Sequence, residues 1–168
     1  MNIVLIGMPG AGKSTVGVIL AKTLGKQFLD TDLILQEREQ RLLQEILDSC
    51  GTAEFLKREE EVLLAAKPVD SVIATGGSAV YSRPAMKHMR DCGTVVYLNL
   101  SFEEIQRRLS DITTRGVIMD WNQNLSDIYR ERIPLYEEYA DLIIDCDDRT
   151  VEEIVREIAN KMDRKDSL

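Results

Sequence analysis

The sequence predicts a three-layer α/β fold, in which helices cover both faces of a parallel sheet of five strands. Five short apolar runs alternate with longer amphipathic runs along the 168 residues, which is the pattern of consecutive βαβ units. A glycine-rich stretch separates the first apolar run from the first amphipathic run, where such sheets bind ligands. We predict one domain over residues 1–168, whereas the strand order cannot be derived from the pattern alone.

The first strand and the first helix flank the most informative motif. Residues 2–6, with an apolar core at 3–6, predict a buried strand, and residues 7–14 match G-x-x-x-x-G-K-[ST], the phosphate-binding P-loop. Val16, Ile19 and Leu20 then lie on one side of a helix. Glycines let successive backbone N–H groups point at phosphate oxygens, and the helix N-terminus adds partial positive charge. The sequence therefore predicts a nucleoside triphosphate site in a fold of the P-loop kinase type.

The residue types in the loop indicate separate tasks. Lys13 supplies a full positive charge at the β- and γ-phosphates, and the Ser14 hydroxyl is a ligand for Mg²⁺. We expect Thr15 to be a second phosphate contact rather than a metal ligand. The predicted nucleotide-binding residues of the loop are Gly10, Ala11, Gly12, Lys13, Ser14 and Thr15.

Two carboxylates lie at the carboxyl end of the predicted second strand, residues 26–30. Asp30 and Asp32 are two residues apart and face the same way, at the sheet edge where the P-loop opens. We predict that both belong to the site. Thr31 or Asp32 could instead cap the next helix, and capping is compatible with ligand contact.

The middle of the chain predicts long helices and a third strand. Residues 33–67 have a helical pattern throughout, with a break near 49–52, and Glu59–Glu61 predicts a solvated helix face. Residues 71–74 predict a buried strand, and the pair Gly76–Gly77 after it indicates close approach of the backbone to another group. An ordinary turn is the alternative.

The second half continues the alternation. Residues 110–124 lack clear periodicity, and loops of this length are often lids. Pro134 should distort the helix around it or mark a helix boundary, and the tail 163–168 should be frayed. The predicted strands span residues 94–98 and 142–145, and the predicted helices span residues 84–90, 101–109, 125–139 and 150–162.

Composition narrows the possible partners and location. The net charge of −8 disfavours non-specific binding to nucleic acid or to an anionic membrane surface. No apolar stretch approaches the ~18 residues of a membrane helix, and no signal peptide is indicated. Cys50, Cys92 and Cys146 lack metal-ligand spacing and are expected to be reduced thiols. These features predict a cytoplasmic protein with no nucleic-acid or membrane partner. We also expect the chain to be a monomer and its partner to be a small molecule.

Several motifs together resemble the shikimate kinase family over nearly the whole chain. FLDTD, TGG and R-x-PLY are more specific to this family than the P-loop. The resemblance implies a parallel sheet in the order 2-3-1-4-5, a lid at about 110–124 and a substrate-binding helical segment at about 31–67. It also implies transfer of the γ-phosphate of ATP to the 3-hydroxyl of shikimate, with Mg²⁺. The motifs are GMPGAGKST at 7–15, FLDTD at 28–32, FLKRE at 55–59, ATGGSAV at 74–80, RR at 107–108, Arg115 and RIPLYEEYAD at 132–141.

The same resemblance assigns roles to single residues. Ser14 and Asp30 match the residues that hold Mg²⁺, and Asp32 matches an aspartate that binds substrate hydroxyls and is a candidate to accept a proton. Arg115 matches a lid arginine that reaches toward the transferred phosphate. The predicted catalytic residues are Lys13, Asp32 and Arg115.

The acceptor pocket is assigned in the same way. Arg132 matches an arginine that pairs with the substrate carboxylate, and Glu59 matches a glutamate of the substrate pocket. Gly76 and Gly77 match glycines whose backbone approaches the substrate, and Arg108 matches an arginine near the adenine.

Two departures from the family pattern concern the acceptor. Leu56 stands where the family has a second arginine for the shikimate carboxylate, and Ser78 stands where it has a third glycine. Lys57 or Arg58 could substitute only if the helix turned by about 100° per residue, which its apolar face resists. The alternative acceptors are a sugar acid, a polyol or a hydroxy amino acid. A nucleotide-binding regulatory protein with little catalysis is a third interpretation.

Overall fold

The computed structural model describes residues 1–110 and 124–165, and its five strands form one parallel sheet. The strand order is β2-β3-β1-β4-β5, as the family resemblance implied. All residues Ile3–Ile6 of the central strand are fully buried, so both faces of the sheet are covered. The strands are β1 (Asn2–Ile6), β2 (Gln27–Asp30), β3 (Ser71–Ala74), β4 (Gly93–Asn99) and β5 (Leu142–Asp145).

Helices connect each strand to the next. The longest, α3, contributes Leu63 to the main core and Phe55 to a smaller apolar cluster with α2. The helices are α1 (Lys13–Leu24), α2 (Thr31–Glu39), α3 (Leu43–Ala65), α4 (Arg83–Cys92), α5 (Phe102–Ser110), α6 (Leu125–Tyr139) and α7 (Val151–Lys165), and a 3₁₀ turn spans Ala79–Tyr81.

The strand registers bring three loops to one edge of the sheet. Leu5 pairs with Ala74, and Ala74 pairs in turn with Asp30. The loops that follow β1, β2 and β3 therefore leave the sheet side by side. This edge is where an open α/β sheet binds its ligands.

The prediction of one continuous helical pattern over residues 33–67 was wrong at residues 40–42. Gln40 ends α2 in a left-handed conformation with φ 54°, and the Gln36 side chain accepts a hydrogen bond from Leu43 N (3.1 Å) at the start of α3. The predicted break near 49–52 is confirmed, because Gly51 has φ 78° and ψ 170° within α3. The conformation of Gln40 and the bond to the Gln36 side chain leave no signal in the apolar periodicity of the sequence, so the pattern did not predict the end of α2.

The alternative that Pro134 marks a helix boundary was wrong, and so was the predicted end of the last helix at residue 162. α6 continues through Pro134, which lies on its exposed side, where water can bond to the carbonyl group that proline leaves unpaired. α7 continues to Lys165, beyond the start of the predicted frayed tail. The predicted lid, residues 110–124, lies outside the described residues except for Ser110 at the end of α5 and Asn124 at the cap of α6. No helix within the described ranges has the length and apolar character to cross a bilayer.

Candidate active site

The P-loop between β1 and α1 has the conformation that its glycines permit. Gly10 and Gly12 have φ values of 80° and 89°, a backbone conformation that residues with a side chain rarely adopt. The N–H of Ala11 donates to Met8 O (3.1 Å) and closes the turn. Gly12 is the N-cap of α1 and has no side chain to bond the first N–H groups of that helix. These N–H groups are therefore suited to an anion.

Lys13 lies under the loop and is only 8% exposed. Its Nζ donates to Gly7 O (2.8 Å) and Met8 O (2.9 Å). Burial lowers the pKa of Lys13 to about 8, although the charge of Asp32 opposes this shift. A phosphate at the loop would add negative charge and favour the protonated form.

Asp30 joins the end of β2 to both α1 and α2. Its Oδ2 accepts a hydrogen bond from Ser14 Oγ (2.6 Å), and its Oδ1 accepts from the N–H groups of Asp32 (3.0 Å) and Leu33 (3.4 Å). Asp30 therefore caps α2, and the alternative that Thr31 or Asp32 is the cap was wrong. The hydroxyl and carboxylate beside the P-loop are hard oxygen donors of the kind that Mg²⁺ takes alongside water and phosphate.

The end of α5 packs on the outer side of the P-loop. Arg108 donates from Nη1 to Gly10 O (3.2 Å) and Ala11 O (3.4 Å), and Glu104 accepts from its Nε (2.7 Å). Arg108, which the resemblance placed near the adenine, thus contacts the backbone of the loop. Arg115 lies outside the described residues.

Gly76 lets two carboxylates approach the loop after β3. A Cβ atom at this position would overlap Glu59 Oε1 and would lie 2.7 Å from Asp32 Oδ1. At Gly77, a Cβ atom would lie 2.8 Å from Pro9 and 3.1 Å from Arg132. The predicted close approach of backbone to other groups is confirmed, and an ordinary turn does not describe this loop.

Glu59 is buried, with 4% of its surface exposed, so its predicted place on a solvated helix face was wrong. Its Oε2 accepts a hydrogen bond from Ser78 Oγ (2.5 Å), and its Oε1 has no hydrogen-bond partner among the described residues. Burial raises its pKa to about 7, and the charge of Asp32 adds to the shift. Burial also raises the pKa of Asp32, to about 6, against the opposing charge of Lys13. Phe55 and Leu63 are buried on one side of α3, and Glu59 lies between them on that side, so it is buried as well.

Arg132 of α6 is 2% exposed and is held by aromatic side chains. Its guanidinium lies 5.1 Å from the centre of the Tyr81 ring, and its Nε donates to Tyr81 Oη (3.2 Å). Tyr136, one turn further along α6, donates to Gly77 O (2.6 Å). Sequence reasoning missed both tyrosines. The spacing of four between Arg132 and Tyr136 was an available signal, whereas no signal indicated Tyr81.

One cavity of about 440 Å³ joins the P-loop to the residues on the acceptor side. Leu56 is found instead at a neighbouring cavity of about 200 Å³, which Glu59 and Tyr81 also line, and Ser78 lines both cavities. Of the predicted site residues, the larger cavity brings together Gly10, Gly12, Lys13, Ser14, Thr15, Asp30, Asp32, Gly76, Gly77 and Arg132.

This fold and this cavity define a class of protein. A phosphate-binding loop follows the central strand β1, and acidic and basic side chains face the same cavity from α2 and α6. The chain is a P-loop kinase that acts on a small molecule.

Comparison with known proteins gives the family. The shikimate kinase family model matches residues 9–163. The chain is 40% identical over 167 residues to shikimate kinase of Mycobacterium avium, covering 98% of this chain and 94% of the relative. It resembles the structure of shikimate kinase from Acinetobacter baumannii in complex with shikimate (TM-score 0.88, 32% identity, 98% and 93% of the chains). It also resembles the structure of shikimate kinase from Aquifex aeolicus, with a TM-score of 0.80 and 33% identity, covering 97% of this chain and 96% of that chain. The chain belongs to the shikimate kinase family, which confirms the resemblance.

Proposed function

We propose that the protein transfers the γ-phosphate of ATP to the 3-hydroxyl of shikimate and that it requires Mg²⁺. The observation that carries this proposal is the single cavity of about 440 Å³, which Lys13 lines on the phosphate side and Asp32 and Arg132 line on the acceptor side. A donor phosphate and an acceptor hydroxyl would meet there without crossing solvent. The 40% sequence identity to a shikimate kinase, in an alignment that covers 98% of the chain, supports shikimate as the acceptor.

On the donor side, the P-loop would bind the phosphates of ATP. Its backbone N–H groups and Thr15 would contact phosphate oxygens, while Lys13 would exchange its bonds to loop carbonyls for bonds to phosphate. Arg108 holds the outside of the loop and would lie near the adenine. The proposed loop contacts are Gly10, Ala11, Gly12, Lys13, Ser14 and Thr15.

Ser14 and Asp30 would hold the magnesium ion. Their oxygen atoms lie 2.6 Å apart beside the loop, and both are ligand types that suit this ion. When it is bound, Mg²⁺ neutralises negative charge on the phosphates. Asp30 would remain in place because the same carboxylate caps α2.

On the acceptor side, Asp32 would orient the attacking hydroxyl and accept its proton. Its raised pKa of about 6 keeps it ionised at neutral pH while making it a better base than an ordinary aspartate. Arg132 would pair with the acceptor carboxylate, Glu59 would face the acceptor from beneath Gly76, and the backbone of Gly76 and Gly77 would approach it. Phosphoryl transfer depends mainly on such positioning and on charge neutralisation.

We also propose that residues 1–168 act as one domain and as a cytoplasmic monomer. Residues 110–124 would close over the bound ATP, and Arg115 would neutralise charge on the transferred phosphate. Residues 31–67 would bind the acceptor. Fluorescence of Trp121, which belongs to the proposed lid, should change when Mg·ATP is added, and sedimentation should give the mass of one chain. An unchanged signal in a protein that turns over substrate would contradict lid closure.

A specific observation favours a second candidate, a kinase of another small hydroxylated metabolite. Leu56 carries no charge, and Arg58 does not replace the family arginine because it is bonded to Glu39 (2.5 Å) and Glu54 (3.2 Å). A bidentate arginine to a buried carboxylate contributes ~2–4 kcal/mol. Its loss would weaken shikimate binding by about a hundredfold. A sugar acid, a polyol or a hydroxy amino acid would then be the acceptor.

Release of ADP from Mg·ATP separates the two candidates. We expect saturable turnover with shikimate, measured beside a panel of hydroxy acids, polyols and amino alcohols. Turnover with a panel alcohol alone would establish the second candidate, and ATP binding without any acceptor would refute both.

A matched pair of variants tests the role of position 56. Leu56→Arg should lower the KM for shikimate, because it restores the second arginine that the family resemblance assigns to the shikimate carboxylate. Ala65→Arg adds the same charge at an exposed position at the far end of α3 and should leave that KM unchanged. Equal effects of the two variants would show that only net charge matters.

A further inference from the structure

We propose that Ser78 is a positioning residue that holds Glu59 for the acceptor, a task that a basic side chain at position 56 would otherwise perform. The two departures from the family pattern, Leu56 and Ser78, both line a cavity that Glu59 also lines. Leu56 and Glu59 are one helical turn apart on α3 and line the same cavity of about 200 Å³. An arginine at position 56 would therefore lie beside the Glu59 carboxylate. The inference deepens the proposed kinase function and rests on it for the nature of the ligand.

The two oxygens of Glu59 have different surroundings. Oε2 accepts a hydrogen bond from Ser78 Oγ (2.5 Å), whereas Oε1 is buried and has no partner among the described residues. Leaving a buried carboxylate oxygen unpaired is costly, so this atom calls for a hydrogen-bond donor from water or from a bound ligand. Oε1 lies against Gly76, as does Asp32 Oδ1. The pair would accept hydrogen bonds from neighbouring donor groups of the acceptor.

The position of the Ser78 hydroxyl is fixed by the loop that carries it. Ser78 is 1% exposed, the N–H of Ala79 donates to Gly76 O (3.2 Å), and the N–H of Tyr81 donates to Ser78 O (3.0 Å). The side chain thus has little freedom to turn away from Glu59. A glycine at position 78 would leave Glu59 Oε2 without its donor as well, and the carboxylate could rotate away from Gly76.

Other charged groups face Glu59 from three helices. They are Lys13 of α1, Asp32 of α2 and Arg132 of α6. Their contributions are common to the wild-type protein and to any variant at position 78. A change at Ser78 therefore isolates the hydrogen bond, whose loss raises the pKa of Glu59 because the bond favours the ionised form.

Ser78→Ala and Ser82→Ala form a matched pair for the test. Ser82 Oγ also donates to a glutamate of α3, Glu60, at 2.5 Å. With shikimate, or with the panel alcohol that is turned over fastest, Ser78→Ala should raise the acceptor KM about tenfold. It should leave the KM for ATP unchanged and move the acidic limb of kcat/KM to higher pH. Ser82→Ala should change neither the acceptor KM nor the acidic limb of kcat/KM. Equal effects of the two variants, or no effect of Ser78→Ala, would overturn the proposal.

A measurement on the ligand-free protein separates this inference from the proposed function. The carboxyl ¹³C signal of Glu59, assigned by its loss in Glu59→Gln, should titrate at higher pH in Ser78→Ala than in the wild type. That result would support the proposal even if shikimate were not turned over. An unchanged titration would overturn it even if shikimate were the substrate.

A double-mutant cycle tests the link between positions 56 and 78. In the Leu56→Arg background, the guanidinium should hold Glu59, so Ser78→Ala should raise the acceptor KM by less than half of its effect in the wild-type background. Additive effects would show that the two positions act independently and would overturn the exchange of roles.

Discussion

Replacing Glu59 by glutamine should stabilise the ligand-free protein at alkaline pH and much less at mildly acidic pH. Glu59 is 4% exposed, and burial raises its pKa from 4.5 to about 7. Between these two values the folded protein binds more protons at this site than the unfolded chain does. The free energy of unfolding therefore falls as the pH rises through this range, and an uncharged side chain of the same shape avoids that loss.

The size of the effect follows from the shift in pKa. A tenfold change in an acid constant corresponds to about 1.4 kcal/mol, so the full effect at pH 8.5 is roughly 3 kcal/mol. At pH 5.5, below the raised value, less than half of this gain should remain. Glutamine can still accept a hydrogen bond from Ser78 Oγ, so packing should change little. For a chain of 168 residues, the gain at pH 8.5 corresponds to a rise of roughly 6–12 °C in Tm.

Urea unfolding followed by circular dichroism at pH 5.5 and pH 8.5 measures this difference. The control is Glu60→Gln, which changes the neighbouring half-buried glutamate and its bond to Ser82. It should alter the free energy of unfolding by no more than about 0.5 kcal/mol at either pH. Equal stabilisation by Glu59→Gln at both pH values, or destabilisation at pH 8.5, would refute the argument that the buried charge is costly.

Three further variants test the geometry of the site. Lys13→Met should reduce turnover of Mg·ATP by at least about 100-fold in the ADP-release assay, because it removes a preorganised charge. Gly76→Ala should raise the acceptor KM and lower the free energy of unfolding by ~1–3 kcal/mol in urea, because its Cβ would overlap Glu59. Arg132→Lys should raise the acceptor KM about tenfold and leave the KM for ATP unchanged, because it loses the Tyr81 stack and the planar donor.

Each of these variants has a contrary outcome that would be decisive. Wild-type turnover in Lys13→Met would remove the P-loop from the chemistry. Normal stability and acceptor KM in Gly76→Ala would show that the two carboxylates do not converge at this glycine. A higher KM for ATP in Arg132→Lys would place Arg132 on the donor side of the cavity.

The sheet and the P-loop could be predicted because each is encoded by residues that are neighbours in the chain. Four of the five residues of β1 form an apolar run, Ile3–Ile6, and the glycines of the loop follow it directly. The helical segment over 33–67 was harder to predict. α2 ends at Gln40 in a left-handed conformation, and α3 starts with a hydrogen bond from Leu43 N to the Gln36 side chain. Neither feature depends on the spacing of apolar residues. Similarly, the capping of α2 by Asp30 depends on its conformation, since Asp30, Thr31 and Asp32 are all good capping residues.

The sequence by itself determined the phosphate loop and its place between a buried strand and a helix, because local backbone conformation decides both. Only the tertiary structure decided that Glu59 is buried while Glu61 is exposed, because burial depends on which face of α3 packs on the loop after β3. It also decided that Ser78 bonds Glu59 and that Tyr81 stacks on Arg132. These partners are 19 and 51 residues apart in the chain, so no local pattern records them.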